Sequence, residues 1–421
     1  MRPASGTPES GNDVLVVGAG IVGIAVASAL LSEGRRVTLV DRDPEGDKAS
    51  FGNAGGLAVT EVLPASVPGT FLRLPGWILD PLGPLAVRPG RLPKLLPWLA
   101  RFSRSCRPDE FERLSSALAM LNGRALGATN DLLASNGLQD ALRPTGALTV
   151  YETDRGLALD QAEWSRKAAL GIETTILSGQ EARALEPALS PLVKHAVLTP
   201  QWAMVADPKR LVDDLRASLL GRGLVLQRHE IVAIAPSDEG ATALTSHGTK
   251  LSAQMVVIAA GAWSERLVRS VGDSVLLESE RGYNVTFPNS AVRLQREIIF
   301  GERKFVAAPL TCGLRIGGAA EFAGLEARPN YRRAWRLARL ATRYFPDLTL
   351  EGGTAWMGQR PATPDSLPVI GRSPRAPQVI YAFGHGHLGL TQAAITAELV
   401  ADVVARRAPR LDLQPFSIAR F

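Results

Sequence analysis

A glycine-rich turn near residue 20 constrains the fold of this chain more than any other feature. The apolar run Val14–Val17 is typical of a buried parallel strand, and Gly18, Gly20 and Gly23 follow it. In such a turn the first glycine permits the tight bend, the second lets backbone amides approach a pyrophosphate, and the third allows close packing of helix on strand. The spacing predicts a helix over residues 21–32 whose N-terminal amides face an anion.

A second strand and an acidic residue follow at the distance that a dinucleotide site requires. Gly34 predicts the end of the helix, Val37–Val40 the second strand, and Asp41 stands at its end. An acidic side chain there hydrogen-bonds the ribose of a bound dinucleotide. Asp43 is a weaker ribose candidate, because it is more typical of a solvated turn. A glycine-rich turn without a ligand is the alternative, but the strand, the helix and the acid together favour a dinucleotide site.

A second glycine-rich segment, Gly384–Thr391, lies near the other end of the chain. It predicts another strand-to-helix turn, whose amides face an anion or a developing negative charge. Taken together, the two segments predict one cofactor held at both ends, and FAD is the cofactor that they favour.

Composition excludes several classes of protein. The 421 residues are enough for two domains with full cores, and no apolar run reaches membrane-spanning length. The first dozen residues are polar and lack an apolar signal core, which predicts a cytoplasmic chain with a short disordered tail. Cys106 and Cys312 make no disulfide framework. The five histidines lack metal-ligand spacing, so we expect no metal site.

The net charge of +6 is concentrated in one segment, residues 81–107. This segment has no acidic residue, and the rest of the chain has equal numbers of basic and acidic residues. Its basic residues are Arg88, Arg91, Lys94, Arg101, Arg104 and Arg107. We therefore expect no nucleic-acid partner. One interpretation is a helix that packs on the second domain with an arginine-rich outer face. The other is a docking site for an anionic membrane surface or an acidic redox partner.

The order of the predicted elements indicates a dinucleotide domain that is interrupted in sequence. Residues 61–108 are proline-rich and predicted to be irregular, and helical patterning covers 109–136. Asp207 and Pro208 predict a helix N-terminus. An apolar strand, 254–259, ends in the small residues of Ala259–Ser264. It belongs beside the first βαβ unit, where small side chains let the chain pass close to a cofactor, with ordinary close packing as the alternative.

These elements predict two domains. The FAD-binding domain comprises 1–65, 200–272 and 355–421. The substrate domain comprises 66–199 and 273–354 and contains a mixed or antiparallel sheet. Within the substrate domain, Phe305–Leu310 and Leu314–Glu321 flank Thr311-Cys312-Gly313, which predicts a hairpin.

Several further motifs are similar to those of one family. Besides the glycine-rich segments they are residues 50–56 (SFGNAGG), 259–264 (AAGAWS), 281–283 (RGY) and 358–371 (GQRPATPDSLPVIG). On these residues the chain resembles the FAD-dependent D-amino-acid dehydrogenases, within the wider D-amino-acid oxidase-like superfamily, over nearly its whole length. The resemblance implies an α/β fold. A discontinuous, glutathione-reductase-like Rossmann FAD domain is joined to a second α+β substrate domain.

The resemblance also implies a substrate site. Arg360 is predicted to bind a substrate carboxylate, for which a bidentate guanidinium on a rigid segment is suited. The alternative is an arginine paired with a structural acid such as Asp365. Tyr283 is predicted to donate its hydroxyl to the same carboxylate or to cover the flavin, and a core tyrosine is the alternative. His385 and His387 are candidate bases, although packing or orientation of the turn is favoured for both.

The cofactor contacts are predicted from the two turns, the strand ends and the loop 50–56. In that loop the small residues allow close approach of the backbone to the flavin, and a flexible loop is the alternative. The predicted contacts are Gly18, Gly20, Ile21, Val22, Gly23, Asp41, Arg42, Ser50, Asn53, Ala54, Gly55, Ile231, Ala260, Gly261, Gly386, His387, Leu388, Gly389 and Thr391.

The implied activity is oxidative deamination of a D-amino acid, including substrates of the D-proline or hydroxy-D-proline type. Hydride passes from the α-carbon to flavin N5, and the electrons go to a quinone or another acceptor that is not NAD. A sarcosine- or glycine-type amine oxidase, and a flavin-binding subunit of an electron-transfer complex, are the alternatives. Some relatives tether FAD through a cysteine near the arginine motif. Residues 357–371 contain none, so we expect non-covalent FAD. The expected location is the cytoplasm, with peripheral contact at the inner face of the membrane through residues 81–107.

Overall fold

A computed structural model of the chain describes residues 12–69 and 85–421. It confirms the predicted beginning of the fold, a buried strand followed by a helix over 21–32. Gly20 precedes the helix, and Gly34 follows it in the left-handed conformation, with φ +74°. The predicted polar tail lies outside the described residues, apart from its last residue.

The strands in chain order are β1 (Asn12–Val17), β2 (Val37–Asp41), β3 (Gly56–Leu57), β4 (Leu85–Val87), β5 (Leu142–Arg143), β6 (Ala147–Tyr151), β7 (Thr175–Ser178), β8 (His195–Thr199), β9 (Ala203–Val205), β10 (Val225–Arg228), β11 (Ile231–Ser237), β12 (Gly240–Thr245), β13 (Lys250–Ile258), β14 (Glu278–Phe287), β15 (Glu297–Phe300), β16 (Phe305–Leu310), β17 (Gly313–Phe322), β18 (Thr354–Ala362), β19 (Val369–Arg372) and β20 (Val379–Phe383). The helices are α1 (Ile21–Ser32), α2 (Leu92–Ser105), α3 (Pro108–Asn122), α4 (Ala125–Ala134), α5 (Asp154–Ala169), α6 (Gly179–Leu185), α7 (Pro208–Gly221), α8 (Ser264–Val271), α9 (Arg332–Ala341) and α10 (Gly389–Val404).

The first sheet has the strand order β10-β2-β1-β13-β12-β11, with β20 paired to β13 and β19 to β20. Strand β1 runs parallel to both of its neighbours, β2 and β13. Val14 and Val16 pack in a core with α1 and α10, whereas Leu15 and Val17 pack in a core with α8. Because both faces of the sheet are covered, β1 is apolar throughout, which explains the apolar run in the sequence.

This sheet takes its strands from three separate stretches of chain, 12–41, 225–258 and 369–383. The small-residue run after β13 lies beside β1, where the amide of Ala259 donates to the Val17 carbonyl at 2.9 Å. The predicted position of this run beside the first βαβ unit is therefore confirmed. The division into two domains at the boundaries given above remains a prediction.

The second sheet is mixed, with the order β18-β14-β17-β16-β15-β6-β8-β7 and β4 at the side of β17. The predicted hairpin is confirmed, since β16 and β17 pair around Cys312. On β14, Tyr283, Val285 and Phe287 pack in a second core with α9. Side chains alternate along a strand, so Gly282 and Asn284 lie on the opposite face. A small sheet, β3-β9-β5, connects the loop after β2 to this part of the molecule.

Two predictions from the sequence need correction. The helical pattern over 109–136 forms two helices, α3 and α4, because the chain turns between Asn122 and Ala125. The prediction of irregular structure over 61–108 is wrong for residues 92–105, which form α2, and residues 70–84 lie outside the described residues. Helix α2 is amphipathic: Leu95, Trp98 and Phe102 are buried and contact Phe322 of β17. This apolar spacing outweighed the prolines, of which Pro97 lies inside the helix.

Candidate functional site

A cavity of about 1210 Å³ is lined by residues of both sheets. It extends from the carboxyl ends of β1 and β2, at Val17 and Val40, to the inner face of the second sheet, at Asn284 and Arg360. Ligand pockets usually measure roughly 300–1,000 Å³, so this cavity has room for an extended ligand. The predicted cofactor residues that line it are Gly18, Gly20, Ile21, Val22, Asp41, Arg42, Ser50, Asn53, Ala54, Gly55, Ile231, Ala260, Gly261, Gly386, His387, Leu388 and Gly389.

The glycine turn between β1 and α1 shows why each glycine is needed. Gly18 has φ +112°, and a Cβ there would lie 2.4 Å from the Ala259 carbonyl oxygen. A Cβ on Gly23 would lie 1.8 Å from the Gly18 carbonyl oxygen, so Gly23 serves helix–strand packing and does not line the cavity. Gly20 does line the cavity, and its nearest neighbour would be Ser50 Oγ at 3.3 Å. Only Gly20 therefore leaves space for a ligand, and the predicted cofactor contact of Gly23 is wrong.

Asp41 lies at the end of β2, as predicted, and braces the turn. Its Oδ2 accepts a hydrogen bond from the Ala19 amide at 2.7 Å, and its Oδ1 lies 3.0 Å from Lys48 Nζ. Asp41 lines the cavity, and its contact with a ribose remains a prediction. Asp43 is half-exposed and pairs with Arg228 at 2.6 Å, as a solvated turn residue would. Sequence analysis missed Lys48, whose only signal is its position just before the loop 50–56.

Beside Asp41, Arg42 and Trp263 form one wall of the same end of the cavity. The Arg42 guanidinium carbon lies 4.0 Å from the centre of the Trp263 ring, a cation–π contact. Ile231, Ala260 and Gly261 line the cavity nearby. Trp263 is the bulky residue of the run Ala259–Ser264, and its role was not predicted. We call this end, with the Gly18–Gly23 turn, Asp41 and the Arg42–Trp263 wall, the dinucleotide end.

The loop 50–56 is held by side chains and is not free to move. Asn53 Nδ2 donates to the Ser50 carbonyl at 2.7 Å, and Asn53 Oδ1 accepts from the Gly55 amide at 2.8 Å. From the second sheet, Asn284 Nδ2 donates to the Gly52 carbonyl at 2.8 Å, and Arg315 Nη1 donates to the Asn53 carbonyl at 2.5 Å. These contacts favour an ordered loop over the flexible-loop alternative. Asn284 and Arg315 are contacts that sequence analysis missed.

The turn 384–391 lies at the far side of the cavity, where helix α10 begins. Gly386 has φ +51°, and its amide donates to the Pro361 carbonyl at 3.0 Å. Leu388 and Gly389 line the cavity, so the positive end of the 16-residue helix is directed toward it. Thr391 does not line the cavity. Its Oγ1 accepts from the Ala58 amide at 2.9 Å, so Thr391 holds the chain just after β3, and the structure does not support its predicted cofactor contact.

The structure does not support His385 as a catalytic base. The ring is buried, and Nε2 lies 3.0 Å from Thr396 Oγ1 on α10. Burial lowers the pKa of His385 to about 3, because the charged ring would lose its solvation. An imidazole with so low a pKa is a poor proton acceptor at neutral pH. His385 thus orients the turn, which is the role that sequence analysis favoured.

Arg360 and His387 meet at a third residue, Glu280, that sequence analysis missed. Strands β14 and β18 pair so that Glu280 lies opposite Arg360. Glu280 Oε1 accepts from Arg360 Nη1 at 2.9 Å and lies 2.7 Å from His387 Nε2. Despite burial, the charges and hydrogen bonds of His387 and Arg360 hold the pKa of Glu280 down, at about 2. We call these three residues the charged end of the cavity.

The structure bears on two other interpretations of these arginines. Asp365 pairs with Arg420 at 2.8 Å, whereas Arg360 pairs with Glu280 at 2.9 Å, so Arg360 does have an acidic partner, but that partner is not Asp365. Arg281, the arginine of the motif 281–283, is fully buried and does not line the cavity. Its Nε donates to the Gly324 carbonyl at 3.0 Å. Arg360 is the arginine of these motifs that reaches the cavity.

Tyr283 contributes to the wall of the cavity, but its hydroxyl is used elsewhere. The hydroxyl donates to Glu321 Oε2 and accepts from the Asn330 amide at 3.1 Å. Burial raises the pKa of Tyr283, and the hydrogen bond to Glu321 adds to this. A contact with a substrate carboxylate would require this pair to break. The geometry therefore favours the core-tyrosine alternative.

A second buried glutamate, Glu297, lines the cavity and has no cationic partner among residues 12–69 and 85–421. Its Oε2 accepts from Trp202 Nε1 at 3.2 Å, and a Cβ on Gly56 would lie 2.3 Å from that oxygen. Burial raises the pKa of Glu297 to about 8. Glu297 and Glu280 thus share one cavity in opposite protonation states, because only Glu280 has positive neighbours. No motif in the sequence marked either residue.

These features fit FAD. The open space at Gly20, the amides of the turn and the acid at Asp41 suit a dinucleotide, and the start of α10 suits the negative charge of a reduced flavin. A fold of this kind with such a site defines an FAD-dependent oxidoreductase.

Comparison with known proteins agrees. The model of the family described as FAD dependent oxidoreductase matches residues 13–403. The chain is 35% identical over 418 residues to a D-amino-acid oxidase of Bradyrhizobium diazoefficiens, covering 98% of this chain and 99% of the relative. It is 34% identical over 427 residues to D-amino acid dehydrogenase 2 of Ralstonia nicotianae, covering 97% and 100%. The chain therefore belongs to this FAD-dependent oxidoreductase family, and its cofactor is FAD.

Solved structures show the same fold. Glycine oxidase from Geobacillus kaustophilus matches with a TM-score of 0.73 and 24% identity, over 97% of this chain and 99% of that one. L-proline dehydrogenase from P. horikoshii matches with a TM-score of 0.74 and 18% identity, over 99% and 98%. At these identities the likeness establishes the arrangement of sheets and helices.

Proposed function

We propose that the protein oxidises a D-amino acid to an imino acid, which water hydrolyses to a 2-oxo acid and ammonia. Bound FAD supplies the acceptor for the two electrons that leave the substrate α-carbon as hydride, and the electrons then pass to an acceptor other than NAD. The proposed substrates include D-proline and hydroxy-D-proline types, which would give cyclic imines. The names of the two curated relatives, an oxidase and a dehydrogenase of D-amino acids, support this class of substrate.

The observation that carries the proposal is the free edge of the Arg360 guanidinium. Nη1 is held by Glu280 and, at 3.3 Å, by the Ala319 carbonyl. Nη2 and Nε make no hydrogen bond to another described residue. They lie against Gly282, where a Cβ would be 2.2 Å from Nη2. One side of the fork is thus fixed, the other has no hydrogen-bond partner among the described residues, and Arg360 lines the cavity, which suits bidentate binding of a carboxylate.

The rest of the chain positions the reaction. The loop 50–56, fixed by Asn284 and Arg315, forms a rigid floor opposite the second sheet. The N-terminus of α10 stabilises negative charge that develops beside it. Orientation of a bound substrate between these elements supplies much of the catalysis.

The proposal is tested by anaerobic bleaching of the flavin absorbance. The purified protein is mixed with D- and L-amino acids, proline analogues and N-methyl glycines, without oxygen. We expect D-amino acids to reduce the flavin faster than their L-enantiomers. Bleaching by glycine and N-methyl glycine alone would contradict the D-amino-acid proposal.

That second outcome would favour a glycine- or sarcosine-type amine oxidase. The observation behind this alternative is the structural match to glycine oxidase from Geobacillus kaustophilus. Measurement of hydrogen peroxide in air separates an oxidase from a dehydrogenase, whichever amine is oxidised.

We further infer that FAD is bound without a covalent tether. Cys106 is buried under α2 and Cys312 is exposed on the β16–β17 hairpin, and neither lines the cavity. Acid precipitation should release the yellow colour into the supernatant. Colour that stays with the pellet would contradict this inference.

A quinone in an anionic membrane is our proposed acceptor, reached through α2. Among the described residues no helix has the length and apolar character to cross a membrane. On the outer side of α2, Leu92 and Leu96 are 38% and 57% exposed, beside the exposed basic residues Lys94 and Arg104. Exposed leucines beside basic side chains suit an anionic lipid surface.

Two basic residues of the segment have acidic partners, so we leave them out of the proposed contact. Arg88 pairs with Glu321 at 3.2 Å and Arg91 with Glu278 at 2.6 Å. The inner face of α2 is packed as the first interpretation expected, since Trp98 Nε1 donates to the Ala362 carbonyl at 3.1 Å.

The membrane proposal is tested with vesicles of anionic lipid. The variant replaces Lys94, Arg104 and Arg107 by Gln, and each basic residue near such a surface contributes about 1 kcal/mol. We expect roughly a hundredfold weaker binding at low salt, slower quinone reduction and unchanged activity with a soluble dye. The control replaces Lys209, Arg210 and Arg269 on other helices. Equal binding by both variants and the wild type would overturn the proposal.

A further inference from the structure

Glu280 places a negative charge in a site that we propose binds a carboxylate. An arginine alone would attract any anion. Here Glu280 is ionised, because the charges and hydrogen bonds of His387 and Arg360 hold its pKa at about 2. The charges of Glu280 and Arg360 therefore cancel before a ligand binds, and a protonated His387 adds one positive charge beside them. Only 13% of the Glu280 side chain is exposed, and that side chain lines the cavity.

The two carboxylate oxygens of Glu280 differ in their hydrogen-bond partners. Oε1 accepts from Arg360 Nη1 at 2.9 Å and lies 2.7 Å from His387 Nε2. Oε2 makes no hydrogen bond to another described residue. An ionised carboxylate that is largely buried needs further donors or positive charge to offset its lost hydration. Oε2 therefore has no partner among the described residues, and it belongs to the carboxylate that already contacts Arg360 through Oε1.

A ligand that binds Arg360 must also bring a hydrogen-bond donor or a positive charge to Glu280 Oε2. A simple carboxylate would bring its negative charge close to Glu280, where two like charges at low dielectric repel each other. An α-amino acid brings an ammonium group two bonds from its carboxylate carbon, so a positive charge would lie beside Glu280. The charge pattern of the site, negative beside positive, is complementary to a zwitterion.

We propose that Glu280 binds the ammonium group of the substrate while Arg360 binds its carboxylate. Glu280 thereby selects zwitterionic α-amino acids over carboxylates without an α-amine, such as 2-hydroxy acids. This inference rests on the proposed function, since it assigns a residue that discriminates among ligands of the same site. Glu280 acts in recognition and not as the proton acceptor, because a carboxylate of such low basicity removes a proton poorly. The bound ammonium group releases one proton to solvent before hydride leaves the α-carbon, because only the neutral amine has the lone pair that forms the C=N bond.

The test compares D-alanine with propionate, which has the same carbon skeleton and no amine. Anaerobic stopped-flow reduction gives the dissociation constant of D-alanine, and competition in the same experiment gives that of propionate. The variant is Glu280→Gln, which keeps the shape and removes the charge. We expect weaker binding of D-alanine, tighter binding of propionate, and a change in the ratio of the two constants of at least tenfold.

A matched control is Glu278→Gln. Glu278 lies on the same strand, is buried and pairs with Arg91 at 2.6 Å, but does not line the cavity. A change that only disturbed β14 would alter both ligands alike in either variant and leave the ratio unchanged. An unchanged ratio in Glu280→Gln would overturn the inference.

The wild-type protein offers a second measurement that does not depend on folding of a variant. We expect propionate and D-lactate each to bind at least tenfold more weakly than D-alanine. Equal binding of propionate and D-alanine would overturn the role of Glu280. Failure of the proposed function is a different result, because then D-alanine would not bleach the wild-type flavin.

Discussion

At the dinucleotide end of the cavity, ligand binding depends on glycines, which have no side chain to fill the space. At the charged end, ligand binding depends on three charged or polar side chains. Gly18 and Gly20 give the turn its shape and its open face within a few residues of sequence. Glu280, Arg360 and His387 come from two strands and a turn that only the folded chain brings together. Local backbone geometry shapes the dinucleotide end, whereas charged side chains that are distant in sequence shape the charged end.

This difference has a consequence for function. The dinucleotide end should tolerate many changes of side chain but no added bulk at its open glycine. At the charged end, removal of one charge, or displacement of one side chain by a fraction of an ångström, should leave FAD bound but weaken substrate binding. Cofactor binding and substrate oxidation are therefore separable by mutation.

The largest expected effect is loss of the cofactor in Gly20→Val. The added side chain fills the space between the turn and Ser50 Oγ, where a Cβ alone would lie at 3.3 Å, and keeps a pyrophosphate from the amides. The purified variant should be colourless by its ratio of flavin to protein absorbance. Gly127→Val on α4 is the control, because nothing lies within 4 Å of a Cβ there. A fully flavinylated Gly20→Val protein would show that the cofactor is misplaced.

A smaller effect is expected for Gly282→Ala. A Cβ at this position would lie 2.2 Å from Arg360 Nη2, so the guanidinium must move while the strand is kept. Displacement of a positioning group by about 1 Å costs up to 10²-fold in rate. We expect at least a tenfold fall in kcat/KM with unchanged FAD content, measured by steady-state kinetics and absorbance. Full activity would mean that the position of Arg360 over this glycine has no role.

How much of the fold and of the site could be predicted from the sequence depends on how far apart in sequence the interacting residues lie. The turn, α1 and Asp41 were predicted because glycine spacing and an apolar run encode them within some 30 residues. Glu280 was not, because its importance arises from the register of β14 with β18, 80 residues away in sequence. No local pattern encodes that pairing.

Sequence also could not give the direction of side chains around the turn 384–391. It placed His385 and Thr391 near the flavin, and of the two only His385 lines the cavity. The packing of α10 brings His385 Nε2 to Thr396 and Thr391 Oγ1 to the Ala58 amide. Which side of a turn faces a ligand is decided by these tertiary contacts.

The smallest predicted effect concerns Glu297, which contrasts with Glu280. The pKa of Glu297 is raised from 4.5 to about 8, so between these values the folded protein holds a proton that the unfolded chain has released. The free energy of unfolding then falls as pH rises through this window, by at most about 1.4 kcal/mol per pH unit. Glu297→Gln should lessen that fall, seen as a smaller drop in Tm from pH 5 to pH 8.

The control for this measurement is Glu351→Gln, at an exposed position. Its Tm should fall with pH as the wild type does. Identical pH dependence in Glu297→Gln and the wild type would mean that Glu297 finds positive charge or solvent in the folded protein.

The most direct test of the account is Arg360→Lys, with FAD content and flavin reduction measured on the same sample. Lysine keeps the charge and loses the fork, and loss of a bidentate charge-assisted contact costs about 2 kcal/mol. The account predicts full FAD content and a fall in kcat/KM of at least roughly thirtyfold for any amino acid. The exposed Arg339→Lys is the control and should be unaffected. Unchanged kcat/KM in Arg360→Lys would contradict the carboxylate site, and loss of FAD would contradict the separation of the two ends.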